Sequence, residues 1–331
     1  MTILLSRTDS IGDVILSLPM AGIIKEKFPN SRVLFLGKSY TKEIVACSKY
    51  VDKFINWTEL KQQKETEQIA TLKAENIDVF VHVFPNKEIA KIAKKAKIKS
   101  RIGTSHRPYH YLYCNQLESF SRKNSTLHEA QLNILLLQSL SITYSGNFKA
   151  LERYYGFDNI AQLAPQWKAL LHTDKPTIII QSKSKGSARE WGLTNFASLI
   201  QLALAKGARV FLTGTEEEGL LFRKELLFKH PDLIDISGQM TLKELVSFIA
   251  HADFLVAAST GPLHIAAATG TKAIGIYPPI KPMDPGRWAP IGKNTSVFVL
   301  DKPQCTDCKD GSICNCMQAI KAEDIIKEIY P

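Results

Sequence analysis

Residues 5–19 read LSRTDSIGDVILSLP, and this stretch decides how the rest of the chain is read. An apolar run (Ile3, Leu4, Leu5) stops at Arg7, the chain turns polar, passes Gly12 and then takes on helical character. That is a strand, a turn and a helix, with Asp9 and Asp13 on either side of Gly12. One carboxylate can serve as a helix cap. Two of them, at the carboxyl end of a first strand, suggest a site.

The same sequence of events recurs along the chain. SRVLFLG, IDVFVHV, TIIIQS, ARVFLTG, FLVAAS and KAIGIY are short apolar runs suited to strands covered on both faces. Amphipathic segments separate them, such as NFASLIQLALAKG, where Gly207 is placed to end a helix. Strand–helix alternation over the whole length predicts an α/β protein with parallel, doubly wound sheets. The pattern weakens between about Tyr144 and Pro176, where prolines gather. A boundary there predicts domains at 1–158 and 159–331, two facing Rossmann-like units with a cleft between them.

Composition narrows the class. The chain has 331 residues, 45% of them hydrophobic and 22% charged, which fits a globular protein of two domains. Arg7, Asp9 and Asp13 interrupt any secretory leader. No window approaches the roughly 20 apolar residues of a membrane span. A cytoplasmic location is therefore expected. The formal net charge of +10 points to an anionic partner.

Three further stretches follow strands. In STGPLHIAAATG, Thr260 can cap the next helix, Gly261 permits close backbone approach and Pro262 suits a first helical position. Free amides and the helix dipole there favour an anion, a diphosphate by preference, although an ordinary capped helix has the same sequence. The loop KSKGSAREW offers Lys183, Lys185 and Arg189, either to neutralise a diphosphate or as a solvated basic loop. In FLTGTEEEG, Glu218 can accept hydrogen bonds from a ribose or simply favour a helix start. There is no G-x-G-x-x-G, no phosphate-binding loop ending in G-K-[ST], and no D-x-D pair for a divalent metal.

Taken in order, RTDSIGDVILSLP, KSRIG, LHEAQLNILLLQSL, QSKSKGSAREW, TGTEEE, STGPLHIAAATG and PPIKPMDPGRWAP give the chain a strong resemblance to glycosyltransferase family 9, the lipopolysaccharide heptosyltransferases. The resemblance spans nearly the whole chain. It implies the GT-B fold and inverting, metal-independent transfer of heptose from ADP-heptose to the lipopolysaccharide inner core, with Kdo or a heptose as acceptor. It also implies an N-terminal domain for the acceptor, a C-terminal domain for the nucleotide sugar, and no cofactor. Asp13 falls on the position regarded in the family as the general base. Lys185, Arg189, Ser259, Thr260, Gly261 and Pro262 would handle the diphosphate and Glu218 the ribose. His264 matches the family's histidine, and Arg287 in DPGRW would close over the donor. The chain has Ser259 where the family commonly has aspartate, Arg189 where it has lysine, and His82 where acidic or amide residues are frequent. Those departures keep open another sugar nucleotide, for capsule or O-antigen, and a non-catalytic protein that binds nucleotide sugar or glycolipid.

From Lys87 to Arg107 the chain carries eight Lys/Arg against one acidic residue, with Ile89, Ala93 and Ala96 in an apolar stripe. A solvated surface helix fits that pattern. So does docking of the anionic acceptor, through Lys99, Arg101 and Arg107, and of the inner leaflet of the inner membrane. No nucleic-acid motif or aromatic platform accompanies it, so nucleic acid is not expected as a partner. Cys305, Cys308, Cys314 and Cys316 cluster as C-x2-C-x5-C-x-C, which in a reducing compartment suits free thiols or, less well because of its irregular spacing, a structural metal.

Overall fold

The computed structural model describes residues 1–331 except 124, 172, 303, 304 and 306–313. It forms two compact units, Met1–Asn159 and Ile160–Pro331. In the first, β1 (Thr2–Ser6), β2 (Arg32–Gly37), β3 (Lys53–Asn56), β4 (Val79–His82), β5 (Ser100–Thr104) and β6 (Gln116–Glu118) make one sheet in the order β3-β2-β1-β4-β5-β6. In the second, β7 (Thr177–Gln181), β8 (Arg209–Thr213), β9 (Leu233–Asp235), β10 (Phe254–Ala258), β11 (Lys272–Tyr277) and β12 (Thr295–Val299) are ordered β12-β11-β10-β7-β8-β9. Every pairing of neighbouring strands is parallel.

The apolar runs are strands because helices cover both faces and leave no polar alternation to satisfy. Ile3, Leu4 and Leu5 are consecutive and fully buried, as are Leu255, Val256 and Ala257. Each unit has its own core. Leu4, Leu34, Phe80, Ile89 and Ile92 meet in the first. Trp191, Phe196, Leu199, Val256 and Ile325 meet in the second. Trp191 anchors its neighbourhood further, because its Nε1 donates to the carbonyl of Ile320 at 2.9 Å.

Counted within each unit, both sheets follow the same order, 3-2-1-4-5-6. The chain reverses direction of growth between β1 and β4 in one unit and between β7 and β10 in the other. At such a point the flanking loops diverge beyond the carboxyl ends of the strands and leave room for a ligand. The loops after β1 and β4 are therefore the natural site in the first unit, and those after β7 and β10 in the second. No helix among the described residues is long and apolar enough to cross a membrane.

Candidate active site

In the first unit the site is built on Arg7, which follows β1. Its buried guanidinium grips Asp9 with two bonds, Nε to Oδ1 and Nη2 to Oδ2, both 2.9 Å. Nη2 also donates to Asp13 Oδ1, and Nη1 donates to Glu129 Oε1 at 3.1 Å and to Asn133 Oδ1 at 2.9 Å. Ser10 Oγ donates to the other oxygen of Asp13. Asn133 Nδ2 in turn donates to the carbonyl of Leu16 at 3.1 Å, tying the Glu129–Leu135 helix to the opening turn. Arg122 closes the network with bonds to Glu129 and to Asn133 Oδ1.

Two arginines thus face three carboxylates. Burial disfavours the charge on Arg7, but Asp9, Asp13 and Glu129 together outweigh it and hold its pKa above the usual value. Burial, helped by the neighbouring Asp13, pushes Asp9 up to about 6 against the pull of Arg7. The Asp13 carboxylate keeps 19% of its side-chain surface exposed and is oriented from two sides. It is held rather than mobile, which is what proton transfer to a positioned base requires.

Sequence reading singled out Asp13 and missed what holds it: Arg7 and Ser10 directly, with Glu129, Asn133 and Arg122 completing the network around Arg7. A signal was there. In LHEAQLNILLLQSL, Glu129 and Asn133 are polar residues four apart on a helix whose other buried residues include Ala130, Leu132 and Ile134. A polar pair at that spacing shares one helix face and implies a buried partner.

Beside this cluster, His82 ends β4 and is paired in register with Ser6. Its ring is fully buried, stacked on Phe80 with centroids 4.4 Å apart, and neither ring nitrogen has a hydrogen-bond partner. Burial, with His110 and Arg101 nearby, pushes its pKa down to about 3, so it is neutral.

In the second unit, the turn Ser259-Thr260-Gly261 follows β10 and opens the helix Gly261–Thr269. Two details differ from expectation. Thr260 occupies the N-cap position but makes no side-chain cap; its Oγ1 is buried without a hydrogen-bond partner. Pro262 is the second helical residue, Gly261 the first. The Oγ of Ser182, after β7, is likewise buried and without a partner. Both hydroxyls belong to the turns at the point between β7 and β10, where an anion would satisfy them. His264 is buried one turn into the helix.

The loop after β7 is folded by its serines. Ser184 Oγ donates to the carbonyl of Ala188 at 2.9 Å and Ser187 Oγ to that of Ser184 at 2.7 Å, while Lys185 and Gly186 adopt positive φ. Arg189 is buried, Lys183 is paired with Glu190 at 2.9 Å, and Lys185 is exposed, 3.4 Å from Glu217. Glu218 belongs to a capping box with Thr215: its Oε2 accepts from the amide of Thr215 at 2.9 Å. Gly214, at φ +153°, makes room for it, since a Cβ there would lie 3.1 Å from that oxygen. Arg287 is buried with its guanidinium 5.5 Å from the ring of Trp288.

Of the basic residues read as acceptor ligands, Arg107 precedes the Pro108–Tyr113 helix, on the carboxyl side of β5. Lys99 and Arg101 lie at the amino end of that strand, and Arg101 spends its guanidinium on the carbonyls of Ile98 and Tyr113. Cys305, Cys314 and Cys316 are buried in the second core, with Cys305 Sγ 3.5 Å from Cys316 Sγ. Burial, and then Cys305, push Cys316 up to about 11. Cys308 lies outside the described residues. Among the described residues no group of three or more His, Cys, Asp or Glu side chains could hold a metal.

Comparison with known proteins places the chain in a family. Residues 68–317 match the family described as Glycosyltransferase family 9 (heptosyltransferase). The chain belongs to glycosyltransferase family 9. Lipooligosaccharide heptosyltransferase 2 of Campylobacter jejuni is 22% identical over 327 residues, covering 96% of this chain and 95% of that one. Among solved structures, E. coli ADP-heptose lps heptosyltransferase II superposes with a TM-score of 0.75 at 16% identity, over 100% of this chain and 98% of that one. An E. coli heptosyltransferase solved with ADP-2-deoxy-2-fluoro heptose has a TM-score of 0.72 at 18% identity, over 100% and 99% of the two chains. This family 9 chain accordingly has the GT-B class of fold, two Rossmann-like α/β units, and is a glycosyltransferase of the heptosyltransferase type.

Proposed function

We propose that the chain transfers heptose from ADP-heptose to an anionic acceptor of the lipopolysaccharide inner core, Kdo or a heptose, with inversion and without a metal. The observation that carries this reading is Asp13, at the carboxyl end of β1 with its carboxylate oriented by Arg7 and Ser10. In the reaction an acceptor hydroxyl attacks the anomeric carbon from the face opposite the diphosphate. The new glycosidic C–O bond forms as the bond from the anomeric carbon to the diphosphate oxygen breaks. The electron pair leaves with ADP, and the hydroxyl proton passes to Asp13.

The leaving diphosphate gains charge, which preorganised donors must meet. In the second unit those are the Gly261 amide, Thr260 Oγ1, Ser182 Oγ, Arg189 and Lys185, with Ser259 and Pro262 shaping the turn and His264 beneath it. These supply on fixed groups what a D-x-D pair would supply through a metal. Glu218 would receive the ribose on the oxygen its capping box leaves free, and Arg287 would cover the donor. Arg107 would meet the acceptor's acidic groups. A nucleotide sugar of this type is supported by the solved relative that holds ADP-2-deoxy-2-fluoro heptose. The setting would be the cytoplasmic side of the inner membrane, where such an acceptor is lipid-linked.

Incubation with ADP-heptose and heptose-deficient lipopolysaccharide should release ADP only when the acceptor is present. Asp13→Asn should lower kcat by about 10²–10⁴-fold while leaving ADP binding intact. Release of ADP without acceptor, binding without turnover, or full activity of Asp13→Asn would overturn the reading.

A further inference from the structure

We infer that the Lys87–Lys95 and Pro108–Tyr113 helices form one face that docks on an anionic lipid surface, with Tyr111 and Leu112 entering the headgroup layer. The inference rests on the proposed lipid-linked acceptor and adds the contact by which the enzyme reaches it.

The Pro108–Tyr113 helix has its pattern inverted. The imidazole of His110 faces the core and is fully buried, packed so closely on β5 that a Cβ at Gly103 would lie 2.6 Å from its Nδ1. Cys114, four residues on, is buried as well. The outward residues are instead Tyr111 and Leu112, 64% and 63% exposed. Folding alone would put leucine inside and the polar ring outside. An isolated exposed leucine is ordinary, but this one adjoins an exposed tyrosine and a dense field of cations.

Those cations are on the neighbouring helix and its sequel. Lys87, Lys94, Lys95, Lys97 and Lys99 are exposed, while Ile89, Ala90, Ile92 and Ala93 hold the other side of the helix in the core. Lys94 joins the two helices: its Nζ donates to the carbonyl of Leu112 at 2.7 Å and lies 5.9 Å from the ring centroid of Tyr113. Glu65 offsets part of this charge by pairing with Lys91 and Lys95, and Glu88, at the start of the same helix, is paired with Lys61 at 3.4 Å. An exposed aromatic and an exposed aliphatic side chain next to a lysine-rich helix match the layers of an anionic membrane: an apolar boundary under a negative surface. The lysines supply long-range attraction that salt screens, and the apolar pair supplies a short-range term that it does not.

Co-sedimentation of the full chain with phosphatidylethanolamine–phosphatidylglycerol vesicles tests this, with phosphatidylcholine vesicles as the neutral reference. The wild type should bind the anionic vesicles and not the neutral ones. Lys97→Asn with Lys99→Gln should weaken binding by about 25-fold, at about fivefold for each lysine. Asparagine is chosen because Lys97 has φ +60°. Tyr111→Ser with Leu112→Ser should weaken binding by about tenfold and remove whatever survives high salt. That double variant should keep full turnover on a deacylated, water-soluble acceptor and lose it on acceptor embedded in vesicles. Unchanged vesicle binding by the serine variant, absence of binding by the wild type, or binding of polyuridine RNA in place of vesicles would overturn the inference. Vesicle binding needs no donor sugar, so it stands or falls apart from the transfer reaction.

Discussion

Arg7 shows how much one residue can organise. Its guanidinium is buried among Asp9, Asp13, Glu129 and Asn133, so no neutral side chain of similar size can replace it without stranding carboxylates. Removing one member of such a buried set costs about 3–5 kcal/mol. Arg7→Met should therefore lower the urea midpoint sharply, and an unchanged midpoint would show that the cluster contributes nothing net. His82 makes a contrasting case. Its ring is buried without a hydrogen-bond partner and holds its pKa down at about 3. Below the ordinary imidazole pKa the unfolded chain takes up a proton that the folded chain refuses, so His82 costs stability as pH falls from about 6.5 toward 3. Asp9 has the opposite sign: raised to about 6, it favours the folded state as pH falls through its own window. The two partly cancel in the wild type. His82→Phe removes one of them, and its advantage over wild type should grow by about 1.4 kcal/mol per pH unit between pH 6 and 4. Urea titrations at several pH values read this directly, and a constant difference would contradict it.

At the scale of elements, the Glu216–Leu226 helix combines a structural task with a proposed binding task. Thr215 and Glu218 cap it reciprocally, and the same Glu218 is the proposed ribose ligand. Thr215→Ala should cost about 1 kcal/mol of stability through the lost cap. Glu218→Gln keeps an acceptor oxygen for the cap and should leave stability nearly unchanged while raising the KM for donor. If both variants alter only stability, Glu218 is a cap and nothing more. The sequence offered both readings of Glu218, because a helix-start acid and a ribose ligand occupy the same position after a strand. The turn at Thr260 was less legible. Its composition resembles a standard cap, yet the hydroxyl makes no bond to the helix amides. Whether a hydroxyl at an N-cap position closes on the helix is set by the surrounding fold, which local sequence does not describe.

For the whole molecule, the two units share one strand order but carry different chemistry at the point where it reverses. The first gathers carboxylates around arginine; the second gathers amides, hydroxyls and basic side chains. Nucleotide should therefore act on one unit only. ADP at about a hundred times its Kd stabilises what it binds by about 2.7 kcal/mol. Hydrogen exchange should show this as slower exchange in the 182–189 loop and at the start of the Gly261–Thr269 helix, with Met1–Asn159 unaffected. UDP at the same concentration should protect less. Equal protection in both units would contradict the assignment of the donor to the second.

The amino-acid sequence by itself determined the α/β class, the strand–turn–helix units and the turns that carry Asp13, Arg189 and Gly261. Those features come from apolar periodicity and turn chemistry, which act over a few residues. Only the tertiary structure decided that Arg7 meets Glu129, 122 positions away, that His82 ends beside Ser6 with no hydrogen-bond partner for its ring, and that Leu112 points outward. The strand order that places the β1 and β10 turns where each sheet reverses is likewise a long-range outcome. Pairing between distant segments is set by the packing of whole surfaces, and no local window of sequence contains it.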